Sequence, residues 1–136
     1  MSKTALIVGA GSGISAAFAR ALARDGYRTA LSARNTDKLG PLAKETGAIL
    51  IAADAAKADP VKALFAEADR ALGKLGVVLF NASYRTRGPF LDLDPNEVER
   101  TLAVSSFAGF LVGQEAARRW WHRAVARSSS PAPPPA

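Results

Sequence analysis

The sequence contains no cysteine and a single histidine, His122. Without cysteine the chain forms neither disulfide bonds nor thiolate metal sites. A zinc site would rest almost entirely on carboxylates, which is an uncommon ligand set for zinc. We therefore expect no metal site and no redox chemistry at sulfur.

Long apolar runs are also missing from the sequence. The longest stretches without a charged residue, 4–19 and 101–114, are too short to span a bilayer, and glycines interrupt the first. The first residues lack the basic, apolar and small-residue layout of a secretory signal. These features predict a cytoplasmic protein that does not bind membranes.

Acidic side chains are absent from Arg118 onward, where four arginines occur. The preceding residues, 1–117, hold 14 basic and 12 acidic side chains, so the formal net charge of +6 lies mostly in the last stretch. No basic run with interleaved aromatic residues is found elsewhere, as a nucleic-acid surface would require. We expect no nucleic-acid partner.

Short apolar runs alternate with segments of helical periodicity over most of the chain. Runs such as ALIVGA and AILIAAD are typical of buried parallel strands. Two Asp-Pro pairs, at Asp59 and Asp94, predict helices that begin with aspartate as the N-cap and proline at the first helical position. The alternation predicts one α/β domain with three layers and a doubly wound parallel sheet.

The segment LIVGAGSGIS places a glycine-rich turn between the first strand and the first helix. Glycines allow a tight turn without side chains that would block a pyrophosphate, and a helix N-terminus supplies free N–H groups. The pattern predicts a phosphate-bearing cofactor, and the alternative is a turn without a ligand. The predicted cofactor contacts in this segment are Gly9, Gly11, Ser12, Gly13 and Ile14.

This turn resembles that of the short-chain dehydrogenase/reductase family, and the resemblance extends over residues 3–119. In the family pattern Thr-Gly-x-x-x-Gly-x-Gly, Val8 replaces the threonine and Ser15 replaces the last glycine. Ser15 adds a side chain where the helix packs closely on the sheet, so we expect looser packing without loss of binding. The resemblance implies an incomplete Rossmann-type domain over 1–119, with strand order 3-2-1-4.

The resemblance also implies a dinucleotide cofactor and a small carbonyl or alcohol substrate for hydride transfer. Arg34 follows the second strand in LSARN, where an acidic residue would favour NAD, so we expect NADP to be preferred over NAD. Asp54 matches the family aspartate near the adenine ring, and a turn-capping role is the alternative. Asn81 and Ala82 in LFNAS match the family's Asn-Asn-Ala-Gly, or form a simple turn.

The family's catalytic pair, Tyr-x-x-x-Lys, is absent from this sequence, whose tyrosines are Tyr27 and Tyr84. Ser105 stands where the family has an asparagine that organises a proton-relay water, and it would replace that group with a shorter reach. We therefore predict an oxidoreductase relative that binds a dinucleotide without turnover. The alternative is a non-catalytic nucleotide-binding or interaction module with a basic tail.

The last residues, 120–136, are rich in proline and serine, and we expect them to be disordered. Trp120 and Trp121 are each encoded only by TGG, and reading these codons one base earlier gives apolar and small residues of the family type. This predicts an out-of-frame tail, and a genuine tail of this composition is the alternative. The strand VVLF would then lie at a sheet edge, which favours a homo-oligomer or aggregation.

Overall fold

The structure, a computed structural model, describes residues 2–128. Its strands are β1 (Thr4–Val8), β2 (Arg28–Ala33), β3 (Ile49–Ala52) and β4 (Val77–Phe80). Its α-helices are α1 (Ile14–Arg24), α2 (Gly40–Thr46), α3 (Ala58–Leu72), α4 (Pro95–Leu102) and α5 (Ala108–Ser128). A π-helical segment, Ala103–Phe107, connects α4 to α5.

The four strands form one parallel sheet in the order β3-β2-β1-β4, which confirms the predicted order. β1 is central, and its residue Leu6 lies opposite Ala30 of β2 and Val78 of β4. Each connection between neighbouring strands contains a helix, because parallel strands cannot be joined by a tight turn. The carboxyl ends of all four strands consequently lie at the same edge of the sheet.

Helices cover both faces of the sheet and give the three predicted layers. On one face Ile7 and Leu31 pack with residues of α1 and α2 in one buried cluster. On the other face Leu6 and Val8 pack with α3 and α5, and Phe65 of α3 is fully buried there. Strands that are apolar on both sides are expected in a parallel sheet covered on both faces.

Of the two Asp-Pro pairs, one begins a helix as predicted and the other does not. Asp94 is the N-cap of α4, and its carboxylate accepts a hydrogen bond of 2.9 Å from the Asn96 N–H. Asp59 is not a cap, because α3 begins at Ala58 and its N-cap is Lys57. The Asp59 carboxylate instead lies in the first helical turn, where it interacts favourably with the helix dipole.

The end of α5 differs from the expected disorder after residue 119. Helix α5 continues to Ser128, and the Trp120 indole N–H and the Arg123 guanidinium both donate to the Leu75 carbonyl, at 3.1 and 2.6 Å. The correction arises because the serine and proline run begins only at Ser128, while alanine and arginine before it favour a helix. Residues 129–136 lie outside the described part, and the change of reading frame stays a prediction.

Within residues 2–128, no helix has both the length and the apolar character that crossing a bilayer requires.

Candidate functional site

A groove of about 510 Å³ lies at the carboxyl edge of the sheet. Residues that end or follow each of the four strands line it, so the fold brings four distant segments together. Ligands of open α/β sheets bind in this position, outside the carboxyl ends of the strands. The lining comprises Val8, Gly9, Ala10, Ser32, Ala33, Arg34, Asn35, Ala53, Asp54, Ala55, Ala56, Asn81, Ala82, Ser83 and Val104.

The glycines of the first turn have different structural requirements. Gly9 has φ +84°, and a Cβ there would lie 2.7 Å from the Asn81 carbonyl carbon and closer still to the Ala82 backbone. Gly9 is therefore required by the approach of the chain after β4. Apart from the adjoining residues of the chain, no heavy atom of residues 2–128 lies within 4 Å of a Cβ built at Gly11 or Gly13, so these positions leave open space. That space is what a bound phosphate needs.

The N-terminus of α1 faces this turn without a competing anion. The N-cap, Gly13, has no side chain, and the first helical turn contains no acidic residue. The turn itself is fixed by β2, because the N–H groups of Gly9 and Ala10 donate to the Ser32 carbonyl at 2.9 and 3.0 Å. Open space beside a positive helix end fits a dinucleotide pyrophosphate.

The looser packing that we expected at Ser15 is not observed. Its side chain is buried, donates to the Gly9 carbonyl at 3.2 Å and accepts from the Asn81 side-chain amide at 3.0 Å. A serine hydroxyl can make both bonds, since it has one donor and two acceptor positions. The serine therefore fills the contact between α1 and the sheet with a polar link.

The residues after β2 and β3 form one side of the groove. Arg34 is exposed at the groove, and neither its neighbour Ala33 nor Asn35 carries a carboxylate. The Asp54 carboxylate accepts a hydrogen bond of 3.0 Å from the Ala56 N–H, which is the turn-capping geometry given above as the alternative. Asp54 also lines the groove, so the capping role and a place beside a ligand are compatible.

The residues after β4 form the opposite side. The Asn81 N–H donates to the Val8 carbonyl at 2.9 Å, which extends the β1–β4 pairing by one residue beyond β4. Asn81 is exposed and Ala82 is half-buried, and both line the groove. Asn81 therefore contacts Ser15 and the groove at once, whereas a simple turn asparagine would need neither contact.

Ser105 lies in the π-helical segment and is bound to the backbone after β4. Its hydroxyl accepts from the Tyr84 N–H at 3.1 Å and donates to the Tyr84 carbonyl at 3.0 Å. These contacts use its donor and fix the loop after β4. A water-organising role for Ser105 stays a prediction, and its hydroxyl has only one acceptor position left for it.

Tyr84 belongs to a polar cluster beside the groove. Its hydroxyl donates to the Glu97 carboxylate, and the Arg100 guanidinium lies 4.4 Å from the centre of its ring. The hydrogen bond to Glu97 raises the pKa of Tyr84 above its ordinary value, and partial desolvation and the Glu97 charge act in the same direction. The phenol is consequently held protonated with its proton directed at a carboxylate.

The groove thus unites five of the predicted site residues: Gly9, Arg34, Asp54, Asn81 and Ala82. Gly11, Ser12, Gly13 and Ile14 lie in the adjoining turn and helix start but are not part of the groove lining. Ser32, Asn35 and Val104 line the groove and were not predicted. The position of Ser32 and Asn35 in the segment LSARN at a strand end was the available signal, and Val104 directly precedes Ser105 in a segment that matches the family pattern. No cluster that could hold a metal ion is found among the described residues.

Comparisons with known proteins give one consistent result. The profile of the short chain dehydrogenase family matches residues 3–127. The chain is 33% identical over 129 residues to a glucose 1-dehydrogenase from Gluconobacter oxydans, covering 90% of this chain and 48% of that enzyme. The chain thus spans about half the length of this curated relative.

Solved structures are similar over the same extent. A putative dehydrogenase from Burkholderia cenocepacia with bound NADP is 25% identical, has a TM-score of 0.76, and is matched over 86% of this chain and 48% of its own. A 3-ketoacyl-(acyl-carrier-protein) reductase from Brucella melitensis complexed with NADH shares the fold, with 23% identity, a TM-score of 0.83 and coverage of 91% and 52%. From the profile match, the Gluconobacter relative and the geometry of the groove, this chain belongs to the short-chain dehydrogenase family.

Proposed function

We propose that this chain binds a nicotinamide dinucleotide in the groove, with the pyrophosphate at the first turn. The observation that carries the proposal is the open space at Gly11 and Gly13 beside the N-terminus of α1, which has no acidic residue in its first turn. A phosphate there would interact with free helix N–H groups and with the positive end of the dipole. Gly9 would keep the turn against the chain after β4.

The remaining residues supply contacts along the rest of the ligand. Arg34 would bind the 2′-phosphate of NADP through a charge-assisted hydrogen bond, and Asp54 would lie near the adenine. Asn81 and Ala82 would support the part of the dinucleotide that crosses from β1 to β4. When bound, the dinucleotide supplies or accepts a hydride, and the whole family protein would act on a small carbonyl or alcohol.

We expect NADP to be preferred over NAD, because the end of β2 offers a cation and no carboxylate. One similar structure holds NADP and another holds NADH, so these relatives do not favour either cofactor for this chain. The preference for this chain therefore rests on Arg34 alone. That dependence makes it directly testable by substitution.

The test is a titration of the chain with NADPH and with NADH, followed by fluorescence. NADPH should bind more tightly, and Arg34→Ala should weaken NADPH binding by roughly tenfold while leaving NADH almost unchanged. Arg70→Ala, an exposed arginine of α3 that does not line the groove, is the matched control. Equal affinities for the two cofactors that Arg34→Ala does not alter would reject the NADP preference.

We further propose that this chain binds the cofactor without reducing carbonyl substrates. No tyrosine is followed four residues later by lysine, and the Tyr84 hydroxyl donates a hydrogen bond to the Glu97 carboxylate. Loss of a positioned general acid typically lowers a rate by roughly 10²–10⁴-fold. NADPH consumption should therefore stay at background against a panel of ketones and aldehydes. Turnover that disappears in Tyr84→Phe would contradict this proposal.

A further inference from the structure

Ser15 lies at a junction that the proposed ligand contacts do not explain. It sits in the first turn of α1 and is 1% exposed, so it cannot touch a ligand in the groove directly. The two groups to which it bonds, the Gly9 backbone and the Asn81 side chain, do line the groove. Ser15 therefore supports two groove residues, one that follows β1 and one that follows β4.

The link crosses a long distance in sequence. Gly9 follows β1, Ser15 begins α1 and Asn81 follows β4, and the hydroxyl joins all three segments with bonds of 3.2 and 3.0 Å. The Asn81 N–H is already bound to Val8, so the backbone of Asn81 is fixed by the sheet. Its side chain is exposed, and its bond to Ser15 is what selects one of its rotamers.

We infer that Ser15 is a positioning residue: its hydroxyl holds the Asn81 side chain and the Gly9 turn in one fixed arrangement for the dinucleotide. This inference rests on the proposed function. Glycine or alanine at position 15 would leave the backbone fold intact but free the Asn81 amide to rotate. A ligand would then have to order that side chain on binding, which lowers its affinity.

The first test is a double-mutant cycle in NADPH affinity. Ser15→Ala should raise the Kd roughly threefold to tenfold, and Ser15→Gly should act similarly. The same change made in an Asn81→Ala background should have a smaller effect, because the bond to Asn81 is already absent there and only the bond to the Gly9 carbonyl is left to lose. A role limited to helix packing would instead give additive effects in the two backgrounds.

The matched control is Thr29→Val. Thr29 in β2 is buried, its hydroxyl has no hydrogen-bond partner within the described residues, and it does not line the groove. Removing this hydroxyl should leave NADPH affinity unchanged. A loss of affinity equal to that of Ser15→Ala would mean that any buried hydroxyl near the sheet has the same effect, and it would overturn the inference.

A second cycle separates this inference from the proposed function. Urea unfolding of the ligand-free protein measures the coupling between Ser15 and Asn81 without any dinucleotide. If no variant binds NADPH but the unfolding equilibria are coupled roughly threefold or more, the proposed function fails and the link stands. If wild type binds NADPH while Ser15→Ala has the same Kd, or both cycles are additive, the positioning role of Ser15 is overturned.

Discussion

Gly9 and Gly11 lie two residues apart in the first turn, yet a side chain at each would meet different surroundings. At Gly9 a Cβ would collide with the backbone of Asn81 and Ala82, and φ is +84°. At Gly11 it would point into open space. The backbone of the folded chain thus requires glycine at position 9, whereas the open space at Gly11 is available to a ligand.

This difference predicts opposite outcomes for two equivalent substitutions. Gly9→Ala should destabilise the fold by about 2 kcal/mol or more, because a positive φ and a backbone clash act together. Gly11→Ala should change the unfolding free energy little and should weaken NADPH binding. Urea unfolding and NADPH titration of both variants check this. A Gly11→Ala protein as unstable as Gly9→Ala would contradict it.

Tyr84 gives a prediction about pH. Its hydrogen bond to Glu97 raises its pKa in the folded chain, so the contact contributes stability that is fully present below the unfolded pKa of about 10. That contribution is lost as the pH rises through the higher folded value. Absorbance at 295 nm in a Tyr27→Phe background, which leaves one tyrosine, should show ionisation of Tyr84 above pH 10.

Glu97→Gln is the matched change for that titration. The amide keeps the size of the side chain but removes the charge and the strong acceptor, so the midpoint of Tyr84 ionisation should fall. In that variant desolvation still raises the pKa of Tyr84, while the nearby charges of Arg100 and Arg34 lower it. An unchanged midpoint would show that the contact with Glu97 does not form in solution.

Single residues could be placed from the sequence, but their contacts could not. The strand-end positions of Arg34, Asp54 and Asn81 followed from counting along the strands, and the groove does contain all three. The buried link through Ser15 could not be predicted, because it depends on the side-chain rotamers of residues 66 positions apart. The family pattern predicts looser packing at Ser15, while the structure gives its hydroxyl two hydrogen-bond partners.

At the scale of elements, one arginine joins the two helices on the same face of the sheet. Arg119 of α5 forms ion pairs of 2.9 Å with Asp69 of α3 and with Glu115 of its own helix. Its guanidinium also lies 4.8 Å from the centre of the Phe65 ring. Glu115 is buried, so its charge depends on these partners.

Arg119→Met should therefore loosen the contact between α5 and α3. We expect a loss of about 1–2 kcal/mol in unfolding free energy, discounted for the partial exposure of Arg119 and Asp69. Arg118→Met is the control, because Arg118 is half exposed and pairs only with Glu115 among the contacts described, so its loss should be about 0–1 kcal/mol. Equal losses in the two variants, measured by urea unfolding, would argue against an anchoring role for Arg119.

Helix ends were harder to predict than helices. The same Asp-Pro signal predicts the start of α4 correctly and misplaces the start of α3, because the turn after β3 is closed by the Lys57 N–H bonding to the Asp54 carbonyl. The end of α5 was not predicted, because the prediction of disorder rested on the proline and serine content of residues 120–136 and not on tertiary contacts. Nothing local to Trp120 or Arg123 indicates that both would bind the carbonyl of Leu75.

At the scale of the whole molecule, β4 is an edge strand with apolar residues on both faces. Val77–Phe80 are all half-buried, and β4 pairs only with β1 within the described residues. Phe107 and Phe110 are exposed nearby, where Gly109 packs on the Phe80 ring. The parallel sheet was predictable from the alternating elements, and its strand order followed from the family resemblance.

The β4 edge predicts association of the chain with itself. Light scattering after size exclusion should show a mass that rises with protein concentration, because an unprotected apolar edge can pair with a second one. Val77→Lys should reduce that rise, since a charged residue on an edge strand opposes pairing. Ala52→Lys, on the opposite edge in β3, is the control and should have less effect. A monomer at all concentrations would contradict the prediction.

The pairing of β1 with β4 also sets the order in which the chain can fold. Ala5 lies opposite Val77, so the central strand stays without its second neighbour until β4, which ends at Phe80, has left the ribosome. The pairing of β1 with β2, in which Thr4 lies opposite Arg28, becomes available far earlier. Non-local parallel pairing is slow because loop closure precedes the stabilising contacts. During synthesis the residues of the first turn are thus present well before the residues after β4 can pack against Gly9.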